Sequence, residues 1–559
     1  MPVIDTGTGY TYRLYPNGFS HPGLSEHNVA RAALSYVTGA HASKVGVIYE
    51  YGYNGANNNF HDTSHLVYTF RNGVPISLTE YDEPYNQLVN FKKLAFFAQD
   101  QWTFKRFTVN AGLRYDSQYG SVSGTQTSGP ATEFGIPFQT WPQINDVPAW
   151  KDLSPRLGVV YDIFGDGKTA VKYTLSRYVV TDGTGFQSTQ NPLTFNLSAT
   201  RPWTDTNPVD LVTHNFVPDC NLSIPTANGQ CGSLSNSAFG TATTTTHIDD
   251  ALRQGWFVRP YDWETSASVQ HQLFQGVSAN FGYTYRRFGN FSVTQNQALN
   301  PAQYDQYCII APTDPRLGSV SGSQICGLYD LNPAFRSVTP NNLVESSTKL
   351  GTQTEHWSGV DFNVIARLPY RVLLSGGFNS GIGGLNTGAA GGGNATNSCF
   401  VVNSLQDLRF CNITPPWLTS VKMLGNVDLK WGITVGATIQ SMPGPQITAA
   451  YTVTNAQITS GQVQFVNPAR TTFGGGSAVV QLIAPGTLYQ QRLNQVDVRL
   501  AKRIRYRATH IRATLDFGNI LNQNAIQPLQ CRIVLGVLGK ESRCLGRKLD
   551  ARESGGGVD

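Results

Sequence analysis

Charge is scarce in this 559-residue chain: Asp, Glu, Lys and Arg make up only 14% of it. Soluble domains carry about a quarter. Methionine is nearly absent, at 3 residues, and no apolar run approaches the ~18 residues of a membrane-crossing helix. The balance of 41 basic and 36 acidic residues, net +5, is small and dispersed, which excludes a dedicated nucleic-acid binder. Met1 to Gly7 show neither a basic n-region nor an apolar h-region, so no signal peptide is expected in the sequence given. No C-x-x-C occurs, and no nucleophile elbow, Ser-His-Asp set or paired carboxylates stand out, so the reading is of a non-enzyme with no cofactor and no metal. His61-Asp62-Thr63-Ser64-His65 has two His four apart, a metal spacing on a helix; beside Asn57-Asn58-Asn59 it reads as a solvated loop. The glycines from Gly381 to Gly393 lack a following Lys-Ser/Thr, so they read as loop rather than phosphate cradle.

What is abundant is glycine (56) and the aromatic pair Tyr and Phe (25 and 28), a composition of strands and turns. Period-two alternation is the strongest signal. In Phe107 to Asp116, Val109, Ala111, Leu113 and Tyr115 alternate with Asn110, Gly112, Arg114 and Asp116. The same rhythm runs from Tyr261, Val277, Ser358 and Ile511. These runs are about 9–12 residues long; soluble strands average ~5–6, whereas a tilted strand crossing a bilayer needs about 9–11. Connections alternate too. Short turns fall at Lys105-Arg106, Gly165 to Lys168, Gln275-Gly276, Pro369-Tyr370, Lys430 to Gly432 and Arg505 to Arg507, with long segments between the hairpins. Short turns at one end and long loops at the other are the pattern of an outer-membrane barrel.

The predicted fold is therefore all-β: a partial transmembrane antiparallel β-barrel of about 14–16 strands, with long extracellular loops and short periplasmic turns. Apolar faces meet lipid, and Asp, Asn, Arg, Thr and Gln face a polar lumen. Trp102, Tyr115, Tyr161, Trp263, Tyr285 and Trp357 suit interfacial girdles. Six cysteines form three local pairs in the long segments: Cys220 with Cys231, Cys308 with Cys326, and Cys399 with Cys411. They are read as disulfides closing short loops in an oxidising compartment. Residues around them are the expected ligand contacts.

Two stretches then resemble a known family. Leu94-Ala95-Phe96-Phe97-Ala98-Gln99-Asp100-Gln101-Trp102, followed by Gly112-Leu113-Arg114-Tyr115-Asp116, is similar to a hairpin of TonB-dependent outer-membrane receptors. Phe97, Gln99, Asp100, Trp102, Gly112, Leu113, Arg114, Tyr115 and Asp116 carry the likeness. Ser154-Pro155-Arg156-Leu157-Gly158, Thr38 to Gly46, Arg71-Asn72-Gly73-Val74-Pro75 and Asn519-Ile520-Leu521-Asn522 add to it, and the set resembles the Oar-like branch. The resemblance implies an envelope receptor or transporter in the outer membrane of a Gram-negative bacterium. Its partners would be outer-membrane lipid, the TonB complex and an unknown peptide, glycan or siderophore-like ligand. Signal peptide, regulatory-like module, TonB box and plug have no counterpart in the sequence given. The expected divisions are an irregular segment 1–28, a barrel portion 29–526 and an atypical, unstructured tail 527–559. Two other readings remain open: a surface adhesin or carbohydrate-binding β-protein, and a passive porin.

Overall fold

The computed structural model describes all residues except 1, 14–22, 60, 62–63, 206–215, 243–244, 337, 352, 383–393, 396–408, 411–412, 414, 507–508, 524–529 and 534–559. Fourteen strands build one large antiparallel sheet. They are β1 (Gly23–Thr38), β2 (His41–Asn59), β3 (Tyr85–Phe104), β4 (Phe107–Val122), β5 (Ile144–Asp162), β6 (Thr169–Val179) and β7 (Tyr261–Phe274). The remainder are β8 (Val277–Gly289), β9 (Glu355–Leu368), β10 (Val372–Ile382), β11 (Trp417–Leu429), β12 (Ile433–Met442), β13 (Leu493–Tyr506) and β14 (Thr509–Phe517). Each strand pairs with the next in chain order. Among the described residues no ladder joins β14 to β1. Correspondingly, β1 is exposed at every position but Asn28, and β14 is exposed from Ile511 to Phe517.

The wall shows the expected two faces. Phe96, Leu113, Leu157, Phe281 and Tyr283 stand exposed on one. Opposite them, Lys172 meets Gln270, and Arg286 meets Asp262 at 2.9 Å and Glu264 at 3.4 Å. Chain reversals at one end are tight, and Lys105, Tyr370 and Trp431 take the left-handed conformation there (φ +52°, +62° and +63°). Tyr370 and Trp431 project from these reversals almost fully exposed, a placement that suits the membrane–water boundary.

Buried apolar cores lie in the layer of loops at the other end. Leu66–Arg71 and Val74–Tyr81 form a hairpin in a five-stranded sheet with Ser198–Pro202, Val3–Asp5 and Thr11–Tyr12. The Asn72-Gly73 turn has both φ values positive (+51° and +79°), as a tight hairpin turn requires. Tyr68, Phe70, Leu78, Phe134, Ile136 and Trp203 pack beneath this sheet. A second core, with Tyr307, Ile309, Leu328, Tyr451, Val453 and Phe473, joins the loops after β8 and β12.

Three expectations need correction. The described residues of segment 1–28 include strands: Val3–Asp5 pairs in parallel with Tyr68–Phe70, and β1 begins at Gly23. The Asp5 carboxylate accepts backbone N–H groups from Gly7, Thr8, Asn72 and Gly73, pinning the N-terminal strand to the hairpin turn. Those bonds, Thr8's foremost, lower its pKa to about 2. In the tail, Gln530–Ile533 is a strand parallel to Thr448–Tyr451, and the rest lies outside the described residues. Several strands also exceed the predicted length: β2 and β5 have 19 residues and β3 has 20. Their upper parts enter the loop layer, where Val89, Phe91, Val122 and Val147 are buried, and the clean alternation of the lipid zone ends.

Candidate ligand-binding site

The β3–β4 hairpin carries the motif residues, and its register assigns their faces. Phe97 opposes Arg114, Gln99 opposes Gly112, Asp100 opposes Ala111 and Trp102 opposes Val109. Phe97, Gln99, Gly112, Arg114 and Asp116 thus share the polar face, and Leu113 and Tyr115 the apolar one. Asp100 departs from the expectation that carboxylates face the lumen. It lies on the apolar side near the short-turn end, held by His41 Nδ1 at 2.7 Å and by a hydrogen bond from Ser43 Oγ at 2.8 Å. The His41 ring stacks on Trp102 at 5.9 Å. Three polar groups satisfy one another where the wall meets the boundary, so the charge need not turn inward. Trp357 departs in the other direction. It pairs with Arg286 on the polar face, and its ring fills the space that Gly359 and Gly381 leave: a Cβ at either would lie 2.5–2.8 Å from it. Those glycines admit a large ring to the lumen side, so Trp357 is not a girdle residue.

Across β2 to β6 the polar face is unusually cationic. A cavity of about 280 Å³ is lined by Glu50, Lys93, Arg114, Asp116, Ser154, Arg156, Tyr178 and, at its upper edge, Arg177 and Arg259. A neighbouring cavity of about 180 Å³ shares Arg114, Ser154 and Arg156 and adds Arg31, Phe97 and Gly112. The Arg31 guanidinium lies 5.8 Å from the centre of the Phe97 ring. Arg114 binds Asp116 at 2.7 and 2.9 Å through two nitrogens. Above them β5 and β6 part to admit Gln254–Trp256, which runs parallel to Ala149–Lys151. In the cleft Asp152 is fully buried, with Arg177 Nη2 at 3.1 Å and Arg259 Nε at 2.8 Å. Arg259 Nη1 also reaches Gln118 Oε1 at 3.2 Å. Aromatic rings face both arginines: Tyr261 lies 4.9 Å from Arg177 and Trp150 5.8 Å from Arg259. Such a buried carboxylate is stabilised only because two guanidiniums meet it.

Sequence reading singled out Arg114 and Asp116 but not Glu50, Lys93, Asp152, Ser154, Arg156, Arg177 or Arg259 as site residues. For Arg156 a signal was present, a cation on the polar side of an alternating strand. For Asp152 and Arg259 there was none, since 107 residues separate them.

The loop layer holds further buried charge. Arg201 Nε lies 2.8 Å from Glu80 Oε1, both side chains fully buried. Burial raises the Glu80 pKa to about 7 against the pull of Arg201. Glu83, also fully buried, meets His61 Nδ1 at 2.9 Å and His65 Nδ1 at 3.5 Å. His61 and His65 are thus drawn onto a carboxylate rather than solvated, and no metal-holding group occurs among the described residues. Burial raises Asp82 to about 6, although Ser128 Oγ donates to it at 2.7 Å. Of the predicted disulfides, Cys220–Cys231 and Cys308–Cys326 are present. Cys399 and Cys411 lie outside the described residues. Cys231 is buried under the five-stranded sheet, so that bridge anchors a loop to the core.

A family model described as "Outer membrane beta barrel domain" matches residues 2–354. No curated protein matches. Among solved structures, the outer membrane transporter YddB from Escherichia coli is 11% identical with a TM-score of 0.45, over 90% of this chain and 51% of that one. The ferric yersiniabactin uptake receptor FyuA from Yersinia pestis is 10% identical (TM-score 0.42; 92% and 51%), and the siderophore receptor PiuA from Acinetobacter baumannii 7% (0.43; 90% and 53%). The chain spans about half the length of these structures.

Proposed function

Because the chain belongs to the outer membrane beta-barrel domain family, we propose that it works there as a ligand-binding receptor and transporter of the TonB-dependent, Oar-like kind. Its loop layer would capture the ligand, and TonB-coupled energy would drive passage along the polar face. The observation that carries this reading is the division of labour along the wall: one apolar face, one charged face, and a packed loop layer at a single end. A passive pore has no need of two buried cores and two disulfides above its mouth. The motif hairpin supports the same reading, since Arg114, Asp116, Phe97 and Gln99 all present to the side a passing solute would meet.

The test has two parts. Single cysteines at Leu113 and Arg114 are reacted with a membrane-restricted probe and a water-soluble sulfonate. Leu113→Cys should take only the former and Arg114→Cys the latter; reversal removes the wall. Planar-bilayer conductance and TonB dependence are then measured for the full receptor. Steady open conductance indifferent to TonB would replace the transporter with a passive channel.

A further inference from the structure

We infer that the cavity between β2 and β6 is a binding site for a small oxyanion, the carboxylate or phosphate group of a soluble ligand. The inference rests on the reading of this face as lumenal and goes on to the chemistry of what it holds.

Charge comes first. Lys93, Arg114, Arg156, Arg177 and Arg259 contribute five cations at this place, against the four carboxylates Glu50, Asp116, Asp152 and Asp182, the last acting on Lys93 through space. Asp152 and Asp116 are already engaged, the former by Arg177 and Arg259, the latter by Arg114. Glu50 approaches Lys93 only at 4.0 Å. Arg156 meets no carboxylate among the described residues; its guanidinium lies 4.9 Å from the Tyr178 ring centre. An excess of guanidiniums in a confined, partly apolar recess attracts an anion more strongly than the same charges would in open water.

Unmet donors come second. Ser154 and Arg259 both line the cavity, and Ser154 Oγ and Arg259 Nη2 are buried with no hydrogen-bond partner among the described residues. Ser154 is 4% exposed, and so is Arg259. Buried donors are nearly always satisfied, and an exception calls for an explanation. A hydroxyl and a guanidinium N–H beside the unpaired fork of Arg156 form a set that two or three oxygens of one anion would complete. The cavity, about 280 Å³, has room for a phosphate or for a carboxylate with a few carbons attached.

The full chain, folded in detergent micelles, is titrated calorimetrically with inorganic phosphate and separately with citrate, which distinguishes the two anion chemistries. Saturable binding of at least one, weakened by added sodium chloride, is expected. Arg156→Gln should weaken it about tenfold to a hundredfold and Ser154→Ala about threefold to tenfold, the ranges for charged and neutral hydrogen bonds. Lys172→Gln should leave it unchanged, because Lys172 lies on the same face but bonds Gln270 outside the cavity. Lack of saturable binding by either anion, or binding indifferent to both Arg156→Gln and Ser154→Ala, overturns the site. Probe labelling at Leu113, read on the same preparations, reports the wall separately, so intact labelling without anion binding refutes this inference alone.

Discussion

A single arginine on the apolar face of β4 should be far more costly than one on its polar face. Leu113 lies six residues beyond Phe107, where β4 begins at the short turn. At about 3.3 Å per residue and a tilt of about 40°, that places it roughly 15 Å from the turn along the membrane normal. The apolar band of such walls is about 25 Å tall, so Leu113 sits near its middle. Its side chain is 49% exposed in the protein alone, and the exposed part meets hydrocarbon. An arginine at midplane costs about 2–4 kcal/mol, a factor of about 30 to 1,000 in the folded population. Asn110→Arg, three residues away on the opposite face, meets the aqueous side and should stay within about 1 kcal/mol of the parent. Equilibrium folding into phospholipid vesicles against urea, read by heat-modifiable gel migration, gives both values. A Leu113→Arg cost below about 0.5 kcal/mol, or one smaller than that of Asn110→Arg, would refute the assignment of faces.

The loop layer yields three more predictions. Arg201→Met should destabilise it by about 3–5 kcal/mol, because the fully buried Glu80 loses its counter-charge, while Arg201→Met with Glu80→Leu should recover most of the loss; denaturant melting of the four-member cycle measures this. Glu80 and Asp82 have pKa values raised to about 7 and about 6 from 4.5 and 3.8, so the folded layer holds protons that the unfolded chain has released. Their contribution is complete below the unfolded values and is lost as pH rises to about 7. Glu83 is lowered: burial alone would raise it, but its bonds to His61 and His65 prevail, so its contribution fades under acid instead. Resistance to proteolysis in the loop layer should therefore fall between pH 5 and pH 7 and level off above; a rise over that interval would contradict the burial of Glu80 and Asp82. Cutting the Cys220–Cys231 bridge, which closes a loop of 11 residues, should cost roughly 2–3 kcal/mol. Dithiothreitol should thus expose that loop to proteinase K while β4 stays protected.

The spanning wall is legible because hydrocarbon enforces one rule along most of each strand. Thr169–Val179 and Val277 onward emerge as read, with side chains alternating between two solvents. That rule lapses where strands rise into the loop layer. Tyr85 to Lys93 lacks clean alternation because neighbours cover both faces there, and it is continuous with β3 nonetheless. The hairpin around Asn72-Gly73 had its turn signal and its flanking apolar residues, Tyr68 and Phe70 before, Ile76 and Leu78 after. What local pattern could not reveal was its partner, Val3–Asp5, more than sixty residues away. The cationic cavity was hidden for the same reason: Lys93, Ser154 and Arg259 come from distant stretches, and each alone is an ordinary polar residue of a strand or loop. Asp100 and Trp357 were misplaced because composition assigns a face by polarity, whereas His41 and Ser43 in one case and Gly359 and Gly381 in the other supply local exceptions.

Among the described residues the outer margins of β1 and β14 carry no ladder, and that carries an energetic demand. With 9–11 residues of each strand at hydrocarbon depth, about five would point their backbone groups away from the sheet, leaving about ten N–H and C=O groups per side. At about 2 kcal/mol for each dry, unbonded group, one margin would forfeit about 20 kcal/mol, more than the 5–15 kcal/mol that holds a typical domain together. Insertion and sealing must therefore be a single event for this sheet, with both margins zipped to another strand as they enter the lipid. Since β1 has 16 residues and β14 has 9, whatever zips them must match two unequal lengths, so the seam is asymmetric by construction.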